Sequence, residues 1–222
     1  MAEAPRMLRN FLLICGILAS LLYLCTDILA GMLWEGYNFL DQAVSELSAI
    51  GALTRPLVVA LGLIYDVLMI GFGVGVWTSS RKRTLRITGG LLMGIGVLGF
   101  VGVPFPLQLG APEATFANII HSLLAGIVVL FFLLTIGFGA FAGGKRFRLY
   151  SIITILILIV VGAVSGVMSA TRISQEGFIT PPQWFGLIER IDIYLSMLWV
   201  MVLAVTLLWS ERRQSSMENN RI

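Results

Sequence analysis

The chain has 222 residues, of which 58% are hydrophobic and only 12% are charged. A soluble domain carries about 25% charged residues, so this composition excludes an ordinary soluble protein and indicates a membrane protein. The formal charge of +3 gives no reason to expect nucleic acid as a partner, because the basic residues sit in short clusters between apolar runs.

Six apolar runs are long enough to cross a bilayer as α-helices, each of which needs about 20 residues. Their nearly continuous hydrophobicity and internal glycines favour a helical bundle over the alternating strands of a membrane barrel. We predict an all-α, polytopic membrane protein in which residues 1–222 form a single integral membrane domain. The predicted spans are 11–33, 56–78, 87–107, 116–142, 149–170 and 185–209.

The distribution of lysine and arginine predicts the orientation of the chain, because cytoplasmic loops are enriched in these residues. Twelve of the 15 basic residues lie before span one, between spans two and three, between spans four and five, or after span six. The other side has only Arg55 and Arg172. We therefore predict a protein of the cell (inner) membrane with both termini in the cytoplasm.

The first outer loop is predicted to contain a short amphipathic helix over 38–50. Asn38 suits its N-cap and Gly51 its C-terminal stop. Two interpretations stay open: a helix lying on the membrane surface, or a lid whose Ser45 and Glu46 point into the bundle. The helical periodicity consists of an apolar column, formed by Leu40, Ala43, Val44 and Leu47, and a separate polar column, formed by Asp41, Ser45 and Ser48.

Ionisable residues interrupt four of the six spans, although each costs roughly 2.5–3.5 kcal/mol at a helix centre on insertion scales. Such residues usually face a protein interior or a polar cavity. At 1.5 Å per residue from the outer span ends, most of them lie at roughly 8–12 Å, and Asp66 lies near 15 Å. We therefore predict one polar chamber in the outer half of the membrane. Its other ionisable residues are Asp27, His121, Glu189, Arg190 and Asp192.

Helical geometry restricts the partner of the arginine. Arg190 lies about 200° around span six from Asp192, so the two side chains point in different directions. We predict that Arg190 pairs with an anion outside its own helix, either Asp27 or Glu46. A network of this kind has a second interpretation, in which it only fastens the helices together.

No metal or cofactor is predicted. Zinc sites use three or four cysteine, histidine or carboxylate ligands, and this chain has a single histidine, His121.

Several short motifs occur together in the chain. In this combination the chain resembles a prokaryotic family of six-helix membrane proteins that is described only as a domain of unknown function. More distantly it is similar to Frag/DRAM-type membrane proteins, some of which are linked to lipid remodelling. The resemblance implies the fold and supplies no activity. The motifs are Asp27, Ser45-Glu46-Leu47-Ser48-Ala49-Ile50-Gly51, Phe105-Pro106, His121-Ser122 and Gly186-Leu187-Ile188-Glu189-Arg190-Ile191.

The depth of the polar chamber favours a protein that binds or processes a membrane lipid or another amphiphile. If it is an enzyme, His121 is the general acid or base, Asp27 or Glu189 orients it, and Arg190 holds a phosphate or carboxylate. A proton-coupled transporter that uses Asp66 and a non-catalytic membrane scaffold are the alternatives. The other candidate substrate-binding residues are Asp192, Ser45, Glu46, Ser122 and Asn118, with Ser45 and Ser122 as candidate nucleophiles.

Overall fold

The computed structural model describes residues 3–109, 115–173 and 183–219. Within these ranges all regular structure is helical and no strand is present. A 3₁₀ helix, Val44–Ser48, lies in the connection between the first two α-helices, which we call the 34–54 loop. The α-helices are α1 Glu3–Leu33, α2 Arg55–Ser79, α3 Arg83–Gly102, α4 Phe116–Gly139, α5 Lys145–Ile173 and α6 Phe185–Asn219.

Each of the six α-helices contains a segment long and apolar enough to cross a membrane, which confirms the predicted all-α membrane bundle. Even the shortest segment has 20 residues, equivalent to roughly 30 Å of helix and hence to the thickness of the hydrocarbon core. The segments are Arg6–Leu33, Arg55–Ser79, Arg83–Gly102, Phe116–Gly139, Lys145–Met168 and Phe185–Arg213.

The helices pack in a ring that follows the order of the chain. Each helix packs against the next one, and α1 also packs against α6. The 34–54 loop and the first turns of α4 and α6 therefore lie at one end of the bundle, which we call the loop end. The first turn of α1 and the last turn of α6 lie at the opposite end, which we call the termini end.

The centre of the core is on α6. Trp199 is fully buried, and its indole Nε1 donates a hydrogen bond of 2.9 Å to Ser151 Oγ on α5. A side chain at Gly139 would overlap the Trp199 ring, so glycine lets α4 approach α6 here. Other large side chains that are fully buried in the same core include Leu13, Phe72, Leu92, Ile136 and Leu203.

Helix α6 continues beyond the predicted end of span six at residue 209. Glu211 is only 5% exposed, and its carboxylate pairs with Arg9 on α1. Arg6 also donates a hydrogen bond of 2.6 Å to the Glu211 carbonyl oxygen. Arg9 balances the buried charge of Glu211, so the helix continues beyond the residue where hydropathy predicts its end.

The helix predicted over 38–50 forms only at Val44–Ser48, and the prediction is wrong for the preceding residues. Asn38 Oδ1 accepts from the Leu40 N–H at 2.9 Å, which makes a local turn instead of a helix start. The backbone carbonyls of Phe39 and Gln42 accept hydrogen bonds from Arg190 on α6. The path of the loop is therefore determined by the hydrogen bonds between its carbonyl oxygens and Arg190, and not by the helical periodicity of its own sequence.

Candidate functional site

The centre of the candidate site is an ion pair between α1 and α6. Arg190 Nε donates to Asp27 Oδ2 and Arg190 Nη2 donates to Asp27 Oδ1, both at 2.9 Å. Arg190 is 5% exposed and Asp27 is 2% exposed. This two-bond geometry is the arrangement for which the planar guanidinium is best suited. It confirms the predicted pairing of Arg190 with an anion on another helix.

The remaining donors of Arg190 hold the 34–54 loop. Nη1 lies 2.9 Å from the Phe39 carbonyl oxygen, 3.0 Å from that of Gln42 and 3.2 Å from that of Gly186. Nη2 also donates to the Tyr37 hydroxyl at 2.7 Å. A guanidinium has five N–H groups, and here every one has an acceptor. In this conformation Arg190 has no donor left for a ligand anion.

Tyr37 connects the arginine to the backbone of the loop. Its hydroxyl accepts from Arg190 and donates to the Ala43 carbonyl oxygen at 2.8 Å. The guanidinium carbon also lies 5.5 Å from the centre of the Tyr37 ring and 4.9 Å from that of Phe39, within cation–π range. Burial raises the pKa of the Tyr37 hydroxyl above its usual value, so the hydroxyl keeps its proton at neutral pH.

The backbone of the loop lies directly against the first turn of α6. The Leu187 N–H donates to the Leu40 carbonyl oxygen at 2.9 Å, and the Trp184 N–H donates to Asp41 Oδ1 at 2.8 Å. A Cβ atom at Gly186 would overlap the Gln42 carbonyl oxygen. Glycine at 186 is therefore required for this close approach.

Two carboxylates, one buried and one half-buried, fix the start of the 3₁₀ helix. Glu189 Oε2 accepts from the Val44 N–H at 2.6 Å. Glu46, which is 3% exposed, accepts from the Ala43 N–H at 3.2 Å and from Gln42 Nε2 at 3.0 Å. Glu46 therefore points inward as the lid interpretation expects, whereas Ser45 is only half-buried.

A cavity of about 60 Å³ lies under the 3₁₀ helix, between α1 and α2. Most of its wall is aliphatic or aromatic, and Asp27 lies at its polar edge. Because Asp27 is also the partner of Arg190, the ion pair forms part of the wall of the cavity. The lining residues are Tyr23, Thr26, Asp27, Val44, Leu47, Val58, Leu61, Gly62 and Tyr65.

The predicted residues of α4 are not part of this site. His121 Nδ1 lies 3.1 Å from the Phe105 carbonyl oxygen, and Asn118 Oδ1 accepts from the Gln108 N–H at 2.9 Å. Both side chains therefore hold the segment after α3, and Ser122 is exposed on the surface of the bundle. Within the described residues no hydrogen bond or ion pair joins His121 to Asp27 or Glu189, so the predicted orientation of the imidazole by these carboxylates is wrong.

Asp192 also lies apart from the ion pair. Its Oδ1 atom is buried and has no hydrogen-bond partner among the described residues. Asp27 instead accepts a third hydrogen bond, from the hydroxyl of Tyr194, a residue that the sequence analysis does not single out. The sequence does contain a signal for Tyr194, because it follows Arg190 by four positions and therefore lies on the same face of α6.

Comparison with known protein families adds one finding. The family described as "Protein of unknown function (DUF998)" matches residues 17–206. The chain belongs to this family. Neither the curated proteins nor the solved structures contain a match.

The arrangement has two physical consequences in this DUF998 protein. Arg190 joins α1, α6 and the 34–54 loop through a single side chain, so the loop is held closed over the cavity. The residues that line the cavity include no serine, cysteine or histidine. The lining instead combines apolar side chains with the Thr26 hydroxyl and the Asp27 carboxylate, which gives the cavity an apolar wall with one polar edge.

Proposed function

We propose that this protein binds a membrane lipid or another amphiphile in the cavity under the 34–54 loop. The observation that carries the proposal is the composition of the cavity wall, which is mostly apolar with the Asp27 carboxylate at one edge. Ligand pockets commonly combine an apolar lining with a few polar groups that fix orientation. An amphiphile has the matching pair of features, an apolar chain and a polar group.

The position of the cavity supports a ligand taken from the bilayer. Asp27 precedes Leu33, the last residue of α1, by six positions, which places it roughly 9 Å below the loop end of the helix. This depth lies close to the boundary between headgroups and acyl chains. A lipid at this level would place polar atoms near Asp27 and Thr26 and apolar atoms against Leu61 and Val58.

The size of the cavity restricts what enters it. A buried water needs about 10–15 Å³, so the volume of about 60 Å³ corresponds to only a few waters or a short stretch of chain. The proposal is therefore that one narrow part of the ligand occupies the cavity while the rest stays in the bilayer.

Binding, and not catalysis, is the activity proposed. His121, Ser45 and Ser122 are not among the residues that line the cavity. Arg190 uses all five of its N–H groups within the protein, so the proposal gives it the role of holding the loop and not of binding a substrate anion.

For the orientation, we propose that the loop end faces away from the cytoplasm and that the membrane is the cell membrane. Eleven of the 14 basic residues within the described ranges belong to the termini end of the bundle. The enrichment of cytoplasmic loops in lysine and arginine supports this orientation.

The test uses a glycine that lines the cavity. A Cβ atom at Gly62 meets nothing within 4 Å, so Gly62→Leu fills the cavity without displacing a neighbour at its first atom. The matched control is Gly126→Leu on α4, where a Cβ atom also meets nothing within 4 Å and which does not line the cavity.

The probe is a phospholipid with a diazirine in its acyl chain, incorporated into nanodiscs with the full chain. We expect photolabelling of the α1 and α2 segments around Tyr23 and Tyr65, strong loss of that labelling in Gly62→Leu, and wild-type labelling in Gly126→Leu. Equal labelling of these segments in the wild type and Gly62→Leu would contradict the proposal.

A further inference from the structure

A second ionisable group lies in the middle of the bundle, outside the cavity. Asp66 is adjacent to Val67, the midpoint of α2, and is only 6% exposed. Among the described residues, no hydrogen bond or ion pair reaches its carboxyl group. It is therefore a buried carboxyl group without a polar partner, half-way along a membrane-spanning helix.

Asp66 packs against a part of α3 where the neighbouring residues have to be glycine. A Cβ atom at Gly99 of α3 would overlap the Asp66 carboxyl group, and one at Gly96 would lie 2.6 Å from the Asp66 carbonyl oxygen. The carboxyl group thus occupies the space that a side chain at residue 99 would need. Glycine at both positions gives the group a fitted place against the backbone of α3.

Among the described residues of α2 and α3, no basic side chain lies near enough to neutralise this group. Helix α3 has no titratable residue between Arg86 and its end at Gly102, and Arg86 lies roughly 20 Å along the helix from Gly99. On α2 itself the nearest basic residue, Arg55, is roughly 16 Å away along the helix. The titratable neighbour in electrostatic contact with Asp66 is Tyr65, which is uncharged at neutral pH.

On the side of α1, the titratable groups are directed to other partners. Tyr23 packs edge-on against the Tyr65 ring, with ring centres 5.2 Å apart. Asp27 pairs with Arg190. An ionised carboxylate in apolar surroundings without a counter-ion is strongly unfavourable, and such a group takes up a proton instead.

We infer that Asp66 is a proton-binding site in the middle of the membrane, where the protein holds a neutral carboxylic acid at neutral pH. The inference goes beyond the proposed ligand site, because Asp66 does not line the cavity under the loop. A neutral acid at this depth is also reactive towards a lipid-soluble carbodiimide, which enters the bilayer and needs a protonated carboxyl group.

The labelling reaction is an addition. The carboxyl proton moves to one carbodiimide nitrogen while the carboxyl oxygen bonds to the central carbon of the reagent. The acyl group then migrates to nitrogen and gives a stable N-acylurea. No atom is lost, so the modified peptide gains the mass of one reagent molecule.

The first experiment treats the full chain in nanodiscs with dicyclohexylcarbodiimide at neutral pH, followed by peptide mass mapping. We expect one reagent on Asp66, less labelling as the pH is raised, and no labelling of Asp66 by a water-soluble carbodiimide. Absence of the adduct from Asp66 at neutral and mildly acidic pH would overturn the inference, as would equal labelling by the water-soluble reagent.

A second measurement does not depend on the access of a reagent. Infrared spectra of the wild type should contain the C=O stretch of a protonated carboxylic acid. Asp66→Asn should remove the part of this band that Asp66 contributes. Glu35→Gln, at an exposed carboxylate in the 34–54 loop, is the matched control and should leave the band unchanged. An unchanged band in Asp66→Asn would show that Asp66 is ionised and would refute the inference.

Discussion

Arg190→Leu is expected to destabilise the protein strongly, because one side chain connects α1, α6 and the 34–54 loop. The substitution leaves Asp27 buried at 2% exposure without its counter-ion. It also removes the donors that reach the carbonyl oxygens of Phe39 and Gln42. The Tyr194 hydroxyl would be the remaining described hydrogen-bond partner of Asp27.

The magnitude follows from the burial of both partners. Removing one partner of a buried ion pair costs about 3–5 kcal/mol, because the other charge is left without compensation. We expect the free energy of unfolding to fall by about this amount. Arg86→Leu is the matched control, since Arg86 is exposed and its guanidinium only lies over the Trp77 ring at 4.8 Å; its loss should cost about 0.5–1 kcal/mol.

The assay is equilibrium unfolding by sodium dodecyl sulfate in mixed micelles, together with hydrogen exchange of the loop amides. In Arg190→Leu we expect faster exchange over residues 37–48, with exchange in the core of α2 and α3 much less affected. A loss of stability no larger than that of Arg86→Leu, with unchanged exchange in the loop, would refute the reasoning.

A double substitution separates the stranded charge from the loss of packing. In the combination of Asp27→Leu with Arg190→Leu no buried charge remains, so the double variant should be more stable than Arg190→Leu alone. Loop exchange should nevertheless stay fast, because the loop carbonyl groups still lack their donor. Additive losses in the two single variants would mean that the ion pair contributes nothing as a pair.

Three further experiments test other parts of the structure. Gly186→Ala places a methyl group where a loop carbonyl oxygen lies, so it should cost about 1–3 kcal/mol and accelerate loop exchange; wild-type stability would contradict the observed packing. His121→Ala removes one side-chain hydrogen bond, so we expect a loss of about 0.5–1.5 kcal/mol and unchanged lipid photolabelling, whereas lost labelling would link α4 to the ligand. In a cysteine-free background, an impermeant maleimide added to intact cells should label Glu35→Cys and should not label Lys82→Cys; the reverse would invert the proposed orientation.

The ion pair is predictable from the sequence because two simple constraints apply to it. A charge inside a membrane helix needs a partner, and helical geometry excludes Asp192 as the partner of Arg190. Asp27 lies at a matching depth on another helix. The same reasoning identifies the six spans, whose length and apolar composition are local properties of the chain.

The position of His121 shows where this reasoning fails. Depth along a helix says nothing about which neighbouring helix a residue faces. Helix α4 packs against α3 and α5 and approaches α6 at Gly139, and the described residues include no contact between α4 and α1. His121 therefore reaches the Phe105 carbonyl oxygen instead of Asp27. The path of the 34–54 loop is missed for a related reason, because its carbonyl groups bond to Arg190, more than 140 residues away in the sequence.

The most direct test of the proposed binding site is an experimental structure of the full chain in lipid nanodiscs, determined for the wild type and for Gly62→Leu. We predict elongated density under the 3₁₀ helix Val44–Ser48, in contact with Tyr23 and Leu61, that is absent in Gly62→Leu while the Arg190–Asp27 pair is intact in both. A wild-type cavity that is empty or contains only water, with the pair intact, would contradict the proposal that this cavity binds an amphiphile.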